Sequence, residues 1–243
     1  MKINLYLPDD KKELYEEVKL YLQKEGKSLS QLFLKCLEEY VKRENILMLK
    51  KWKEKLLAKI GNLIPETGNW WEQLYLEREF KLDGKIFDAG LIYVKPTEST
   101  LGQIKAGLIE KGDEIPVEII PVAVIEFLLT KKQSLKDRIE QIKQEFVSNY
   151  QSLLARNYIP YFIVVVADKS GDIKRVLVFD IPSFQTHELS KKNITKLSNL
   201  LSLPIILKKR ELLEGMFSKQ KDLDVLATDD YSFNGNNEFD FDF

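Results

Sequence analysis

The chain opens with a segment that cannot complete itself. In KINLYLP, Ile3, Leu5 and Leu7 alternate with Lys2, Asn4 and Tyr6, the period-two pattern of a strand with one apolar and one polar face. Pro8, Asp9 and Asp10 end it, and residues 9–44 hold no second strand-like run. An unpaired strand edge is a template for another chain, so the simplest neighbour for Ile3–Leu7 is a second copy of itself. The next residues strengthen that requirement. DDKKELYEEVKLYLQKEG sets Leu14, Val18, Tyr21 and Leu22 on one helical face. Asp9 and Asp10 lie at the positive end of the helix dipole, Lys24 lies near the negative end, and Gly26 stops it. KSLSQLFLKCLEEYVKRE follows, with Ser28 as N-cap and Leu29, Leu32, Phe33, Cys36, Leu37, Tyr40 and Val41 as a broad apolar stripe. One strand and two short helices cannot bury such a stripe alone. An intertwined dimer is expected.

Charge is segregated along the rest of the chain. The net charge is only -1, and residues 1–44 are neutral, but residues 45–62 carry five lysines against Glu54 and residues 219–243 carry seven acids against two lysines. Any attraction for nucleic acid must therefore come from local patches. ILMLKKWKEKLLAKI, from Ile46 to Ile60, reads as a basic helix, and GNLIPETGNWW reads as a linker. Beyond it the pattern is mixed α/β. Strands are expected near Leu74–Leu82 and Lys85–Val94 and in VEIIPVAVIEFLL, PYFIVVVAD and IKRVLVFDI, with a polar excursion over Lys95–Glu114. Helices are expected over Leu135–Arg156 and Lys191–Leu201, followed by a short apolar run, PIIL. The fold class is α/β, with a helix-covered sheet. The domains are 1–44, a basic helix and linker at 45–69, an α/β domain at 70–218, and an acidic, disordered tail at 219–243.

Composition excludes several kinds of chemistry. Cys36 is the only cysteine and His187 the only histidine, so an intrachain disulfide is impossible, and neither a Cys/His zinc cluster nor a histidine-based triad is expected without help from another chain. IPYFIVVVA, the longest apolar run, is too short to span a bilayer, and the N-terminus lacks the order of a signal peptide. A cytoplasmic protein without membrane contact is the expectation. His187 beside Glu188 reads as structural or surface, and Trp70 and Trp71 as packing anchors, although exposed aromatics can stack on bases.

Strand, Pro-Asp stop, helix, Gly-Lys-Ser turn and second helix, in that order over residues 1–44, resemble the ribbon-helix-helix family of DNA-binding proteins. The resemblance implies a homodimer or higher homo-oligomer whose paired N-terminal strands enter the major groove of double-stranded DNA. Ile3, Leu5 and Leu7 would face the helices, and Lys2, Asn4 and Tyr6 would face base edges. Asparagine can bond adenine in two places and lysine can reach guanine acceptors. At the second helix, Lys27, the hydroxyls of Ser28 and Ser30, and free backbone N–H groups suit a phosphate oxygen. Lys2 is the strand's only cation, so affinity must lean on phosphate contacts or on the basic helix at Lys50–Lys59.

The order helix, three strands, helix, strand in the second domain resembles the core of the PD-(D/E)xK nuclease superfamily. That resemblance implies a Mg²⁺-dependent endonuclease with Asp88 and Glu126 as metal-binding carboxylates. Glu126 is followed by Phe127 and Leu128, so leucine stands at the lysine position, and Lys131 or Lys132 would have to reach back to activate water. Without a metal, no cofactor is expected. Asp88 can instead sit in water at a strand edge, and Glu126 can pair with Arg138. The tail, ending EFDFDF, is similar to the acidic, Phe-terminated tails of single-stranded-DNA-binding proteins, which implies a protein partner or a contact with the basic DNA site. An antitoxin-like interaction protein is a further alternative, though its usual short extension fits poorly with so much apolar-strand sequence.

Overall fold

Two-residue turns and apolar runs fix most of the architecture. The computed structural model describes residues 8–130 and 135–224, with side chains as far as Lys219. The chain divides into two compact units, Met1–Glu54 and Lys55–Phe243.

In the first unit a 3-10 turn, Asp9–Lys11, leads into α1 (Lys12–Lys24), and α2 (Leu29–Gly61), whose residues from Lys55 onward belong to the second unit, follows after Gly26, whose φ of 65° suits glycine at a helix stop. The basic stretch Ile46–Ile60, expected as a helix of its own, is continuous with α2. No glycine or proline stands between Ser28 and Ile60 to end the hydrogen-bond ladder. Of the α1 side chains only Leu22 is buried. Leu29, Leu32 and Phe33 are half-buried, whereas Cys36, Leu37, Tyr40 and Val41 are exposed.

The second unit is built on one six-stranded sheet in the order β1-β2-β3-β4-β5-β6. β1 (Gln73–Leu82) and β2 (Lys85–Pro96) form a hairpin closed by Asp83 and Gly84 at φ 46° and 80°, the left-handed pair that matches strand twist in a two-residue turn. Glu79 also has positive φ, 51°. Gly90 lets the chain pass under Phe80, for a Cβ there would lie 2.6 Å from the Phe80 ring. α3 (Glu98–Lys105), capped by Thr97, fills the polar excursion. β3 (Val117–Leu129) returns antiparallel to β2. α4 (Leu135–Asn149) and α5 (Gln151–Arg156) then carry the chain across to β4 (Tyr161–Ala167), which runs parallel to β3. β5 (Ile173–Asp180) and β6 (Gln185–Ser190) complete the sheet as antiparallel neighbours. α6 (Lys196–Leu200) and α7 (Leu203–Asp224) end the described chain.

Four local expectations change. The helix expected over Leu135–Arg156 breaks at Tyr150, whose backbone leaves the helical region while its ring stacks on Phe162 at 5.0 Å. The helix expected from Lys191 shortens to α6, and β6 precedes it. PIIL is the first turn of α7, where Pro204 costs no hydrogen bond because first-turn N–H groups have no intrahelical acceptor. α7 also runs to Asp224, into the stretch expected as tail.

β4 is buried at every position, as a strand covered on both faces must be. On one face α4 and α5 set Phe146, Tyr150 and Leu154 against Phe87, Phe162 and Phe179 in a single cluster; Phe146 stacks on Phe179 at 4.2 Å. On alternate positions Ile125, Ile163, Val165, Val176 and Val178 are equally buried, so the opposite face is covered too.

Candidate nucleic-acid interface

The start of α2 is positioned by reciprocal bonds. Ser28 Oγ accepts from the Gln31 N–H at 3.2 Å, and Gln31 Oε1 accepts from the Ser28 N–H at 2.9 Å. This is a capping box. Gln31 was not singled out in the sequence, although Ser-x-x-Gln ahead of an apolar stripe is its signature. The box occupies the Ser28 hydroxyl and the Gln31 amide. It leaves Leu29 and Ser30 with first-turn N–H groups for which a helix offers no acceptor.

Lys27, Ser28 and Ser30 are all exposed and follow one another across this turn. Lys27 Nζ lies 2.5 Å from Glu25 Oε2. That hydrogen bond holds the Lys27 pKa above its ordinary value and the Glu25 carboxyl below its own. Both groups are in water, so a phosphate can replace Glu25 at small cost. Lys2, Asn4 and Tyr6 lie outside the described residues, as does Lys131.

The carboxylates singled out in the second unit are brought together on neighbouring strands. Ala89 pairs with Ile125 across β2 and β3, and one further step of that register sets Asp88 opposite Glu126. Both are half-buried. Asp88 Oδ2 accepts from the backbone N–H of Phe127 at 2.7 Å. The carboxylate thus takes the place of a strand carbonyl beyond the last paired residues, which is a structural use. Glu126 acts on Tyr150, whose phenol is pushed up to about 12 by burial and then by the nearby charges of Glu126 and Glu145. Leu128, at the lysine position, packs against the α4 side core. Among the described residues no group of three or more His, Cys, Asp or Glu side chains is placed to hold a metal ion.

Two charged constellations escaped the sequence reading. Asp168 Oδ1 accepts from Ser170 N, Ser170 Oγ and Asp172 N, and its other oxygen lies 2.7 Å from Lys174. Lys174 and these donors hold the Asp168 carboxyl far below its usual range. Lys55 donates to the Ser170 carbonyl at 2.5 Å and Lys59 to the Gly171 carbonyl, so these two lysines of the basic helix fasten the β4–β5 turn. The second constellation is Asp180, 2% exposed, which pairs with Lys209 of α7. A Gly-Asp pair between two apolar runs signals the first. The second joins residues far apart in sequence and has no local signature.

A cavity of about 440 Å³ lies between residues 61–67 and the first half of β1, and Glu66 is its only charged lining residue. A smaller one, about 250 Å³, lies between α4 and the β5–β6 turn. No helix among the described residues is long and apolar enough to cross a membrane. No family model matches the chain, and no curated protein or solved structure matches it either.

Proposed function

We propose that the chain is a homodimeric, sequence-specific DNA-binding protein of the ribbon-helix-helix type, acting as a transcriptional regulator in the cytoplasm. The observation that carries this reading is the outward apolar surface of the first unit: Leu14, Tyr21, Leu34, Leu37, Tyr40 and Val41 are all exposed. Large exposed apolar groups of this kind mark an interaction surface. A second copy supplies the same groups in self-complementary form. In the dimer, the paired segments Ile3–Leu7 carry Lys2, Asn4 and Tyr6 to base edges. Lys27, Ser30 and the first-turn amides of α2 then fix the register on a phosphate. Two such halves read a two-fold symmetric site.

The test is duplex binding by wild type, Asn4→Ala and Lys27→Ala on a site selected from random sequence. Asn4→Ala is expected to lose about 1–3 kcal/mol of discrimination at one base pair. Lys27→Ala is expected to weaken every sequence alike and to lower the salt slope by about one. Equal losses on every sequence from both substitutions, or a monomer at micromolar concentration, overturn the reading.

One observation favours a second reading, a nuclease-like body for the second unit: α2, the antiparallel strands β1, β2 and β3, a helical crossover, and β4 parallel to β3. That order supports a nuclease-like scaffold, while the engaged Asp88 and the absent lysine weigh against cleavage. Plasmid cleavage with Mg²⁺ that Asp88→Ala and Glu126→Ala both abolish would favour the enzyme.

A further inference from the structure

We infer that the Phe/Asp segment Glu238–Phe243 docks on its own chain as an added strand at the free edge of β6, with a phenylalanine ring seated in the groove between α4 and the β5–β6 turn. The sheet has two edges, and they differ. β1 carries Glu77, Arg78 and Lys81 and is distorted by positive φ at Glu79, which are the devices that keep an edge from pairing. β6, Gln185–Ser190, is short and regular, and among the described residues it pairs with β5 alone. Every second N–H and C=O of such a strand faces away from its partner.

The groove at the start of β6 has the chemistry of a ring site. Its volume is about 250 Å³, and Phe146, Val147, Phe179 and Phe184 are among its lining residues. An apolar cavity of about 150 Å³ already takes benzene. Phe184 and Val147 are 68% and 64% exposed, so the rim is apolar and bare. Phe184 is also held at φ 54°, a conformation that bulky residues seldom adopt, and such strain clusters where a ligand is clamped.

Charge and length select the occupant. Lys143 and Asp180 line the groove, Asp180 being paired with Lys209, and Lys191 and Lys192 stand exposed just past the end of β6. The one acid of β6, Glu188, is already paired with Arg175 at 3.0 Å. Among the described residues Lys143 pairs with Glu140 at the surface, a contact that exchanges readily. Residues 225–243 contain Asp229, Asp230, Glu238, Asp240 and Asp242 and no cation. In EFDFDF the rings alternate with carboxylates, the period-two pattern that puts Phe on one face of a strand and acid on the other. The segment and β6 are both six residues long. The chain between Asp224 and Glu238 reaches roughly 45–50 Å when extended, against a radius of gyration of roughly 16 Å for a compact unit of this length. The tether therefore permits docking in cis, at an effective concentration of order millimolar.

The experiment is amide hydrogen exchange on three proteins: the full chain, the chain ended at Asp224, and the full chain with Phe239→Ala, Phe241→Ala and Phe243→Ala. The expected result is that β6 amides exchange at least roughly tenfold faster in both altered proteins while β1 amides are unchanged. Identical β6 exchange in all three overturns the proposal. So does protection that moves to β1, or protection in the full chain that disappears on dilution to nanomolar concentration, since the latter would assign the segment to a second copy. The triple alanine chain keeps every residue of the described core, so its result stands even if the shortened chain folds poorly.

Discussion

The two units treat their apolar side chains in opposite ways. In α4 Ile139, Ile142 and Phe146 are buried and Val147 is exposed; in α1, a helix of similar length, Leu22 alone is buried while Leu14, Leu20 and Tyr21 are exposed. Both helices have an amphipathic pattern, so the pattern does not decide which one is covered. What differs is the surface available within the chain: a six-stranded sheet for α4, and a partner helix for α1 that has its own apolar stripe to cover. The sheet unit buries most of its apolar runs within the chain, and the helical unit leaves most of its stripe exposed.

The largest test of that contrast is in the sheet unit. Phe162 is 3% exposed and its ring lies within stacking distance of Phe146, Tyr150 and Phe179. Phe162→Ala should cost about 3–5 kcal/mol in urea unfolding, from lost transfer energy and the cavity left behind. The loss should be independent of protein concentration if the unit is closed. A midpoint that moves with dilution would mean that the sheet unit also needs a partner.

The sequence made this core legible because its strands are apolar runs: Tyr161–Ala167 and Ile173–Asp180 can hardly be anything else. It hid β6, since Gln185–Ser190 is a polar edge strand with one buried residue, Leu189, and strand periodicity shows only when one face is apolar. The boundary between α2 and the basic stretch was misplaced because composition changes there while backbone propensity does not. Asp88 and Glu126 were found as carboxylates on strands, but the use of Asp88 was not. Its bond to the Phe127 amide depends on where the β2–β3 ladder ends, and register is a property of two strands together. The capping box at Ser28 could have been read in full, because all of its partners lie within one turn.

A second test uses pH. Tyr150, 8% exposed, has its phenol pushed up to about 12, first by burial and then by Glu126 and Glu145. The ordinary value is about 10. Between these two values the unfolded chain releases the proton and the folded chain keeps it. The contribution is therefore complete below pH 10 and drains away as pH rises through 12. At about 1.4 kcal/mol per unit the loss is ~2–3 kcal/mol. Tyr150→Phe should flatten that part of the alkaline decline, leaving the shares of Tyr93, whose phenol is also pushed up to about 12, first by burial and then by Glu72, and of Tyr161, whose phenol is raised by burial. An unchanged slope would mean that the ring is wet, and that the α4 face is less closed than α4 itself suggests.

The smallest effect is the most discriminating, because the two units predict different sizes for the same kind of change. Leu37 is 43% exposed and lies on the α2 stripe. On a bare surface Leu37→Ala should stay within about 0.5 kcal/mol, as exposed substitutions do. Beneath a second copy the same substitution removes buried apolar area from both protomers. About 1.4 kcal/mol in total is then a tenfold weaker dimer. Sedimentation of wild type and Leu37→Ala over a concentration series separates these cases: a tenfold shift of the dimer midpoint places Leu37 in the interface. A wild-type chain that sediments as a monomer throughout would mean that the first unit leaves its apolar face in water, and it would remove the dimer on which the proposed reading of DNA depends.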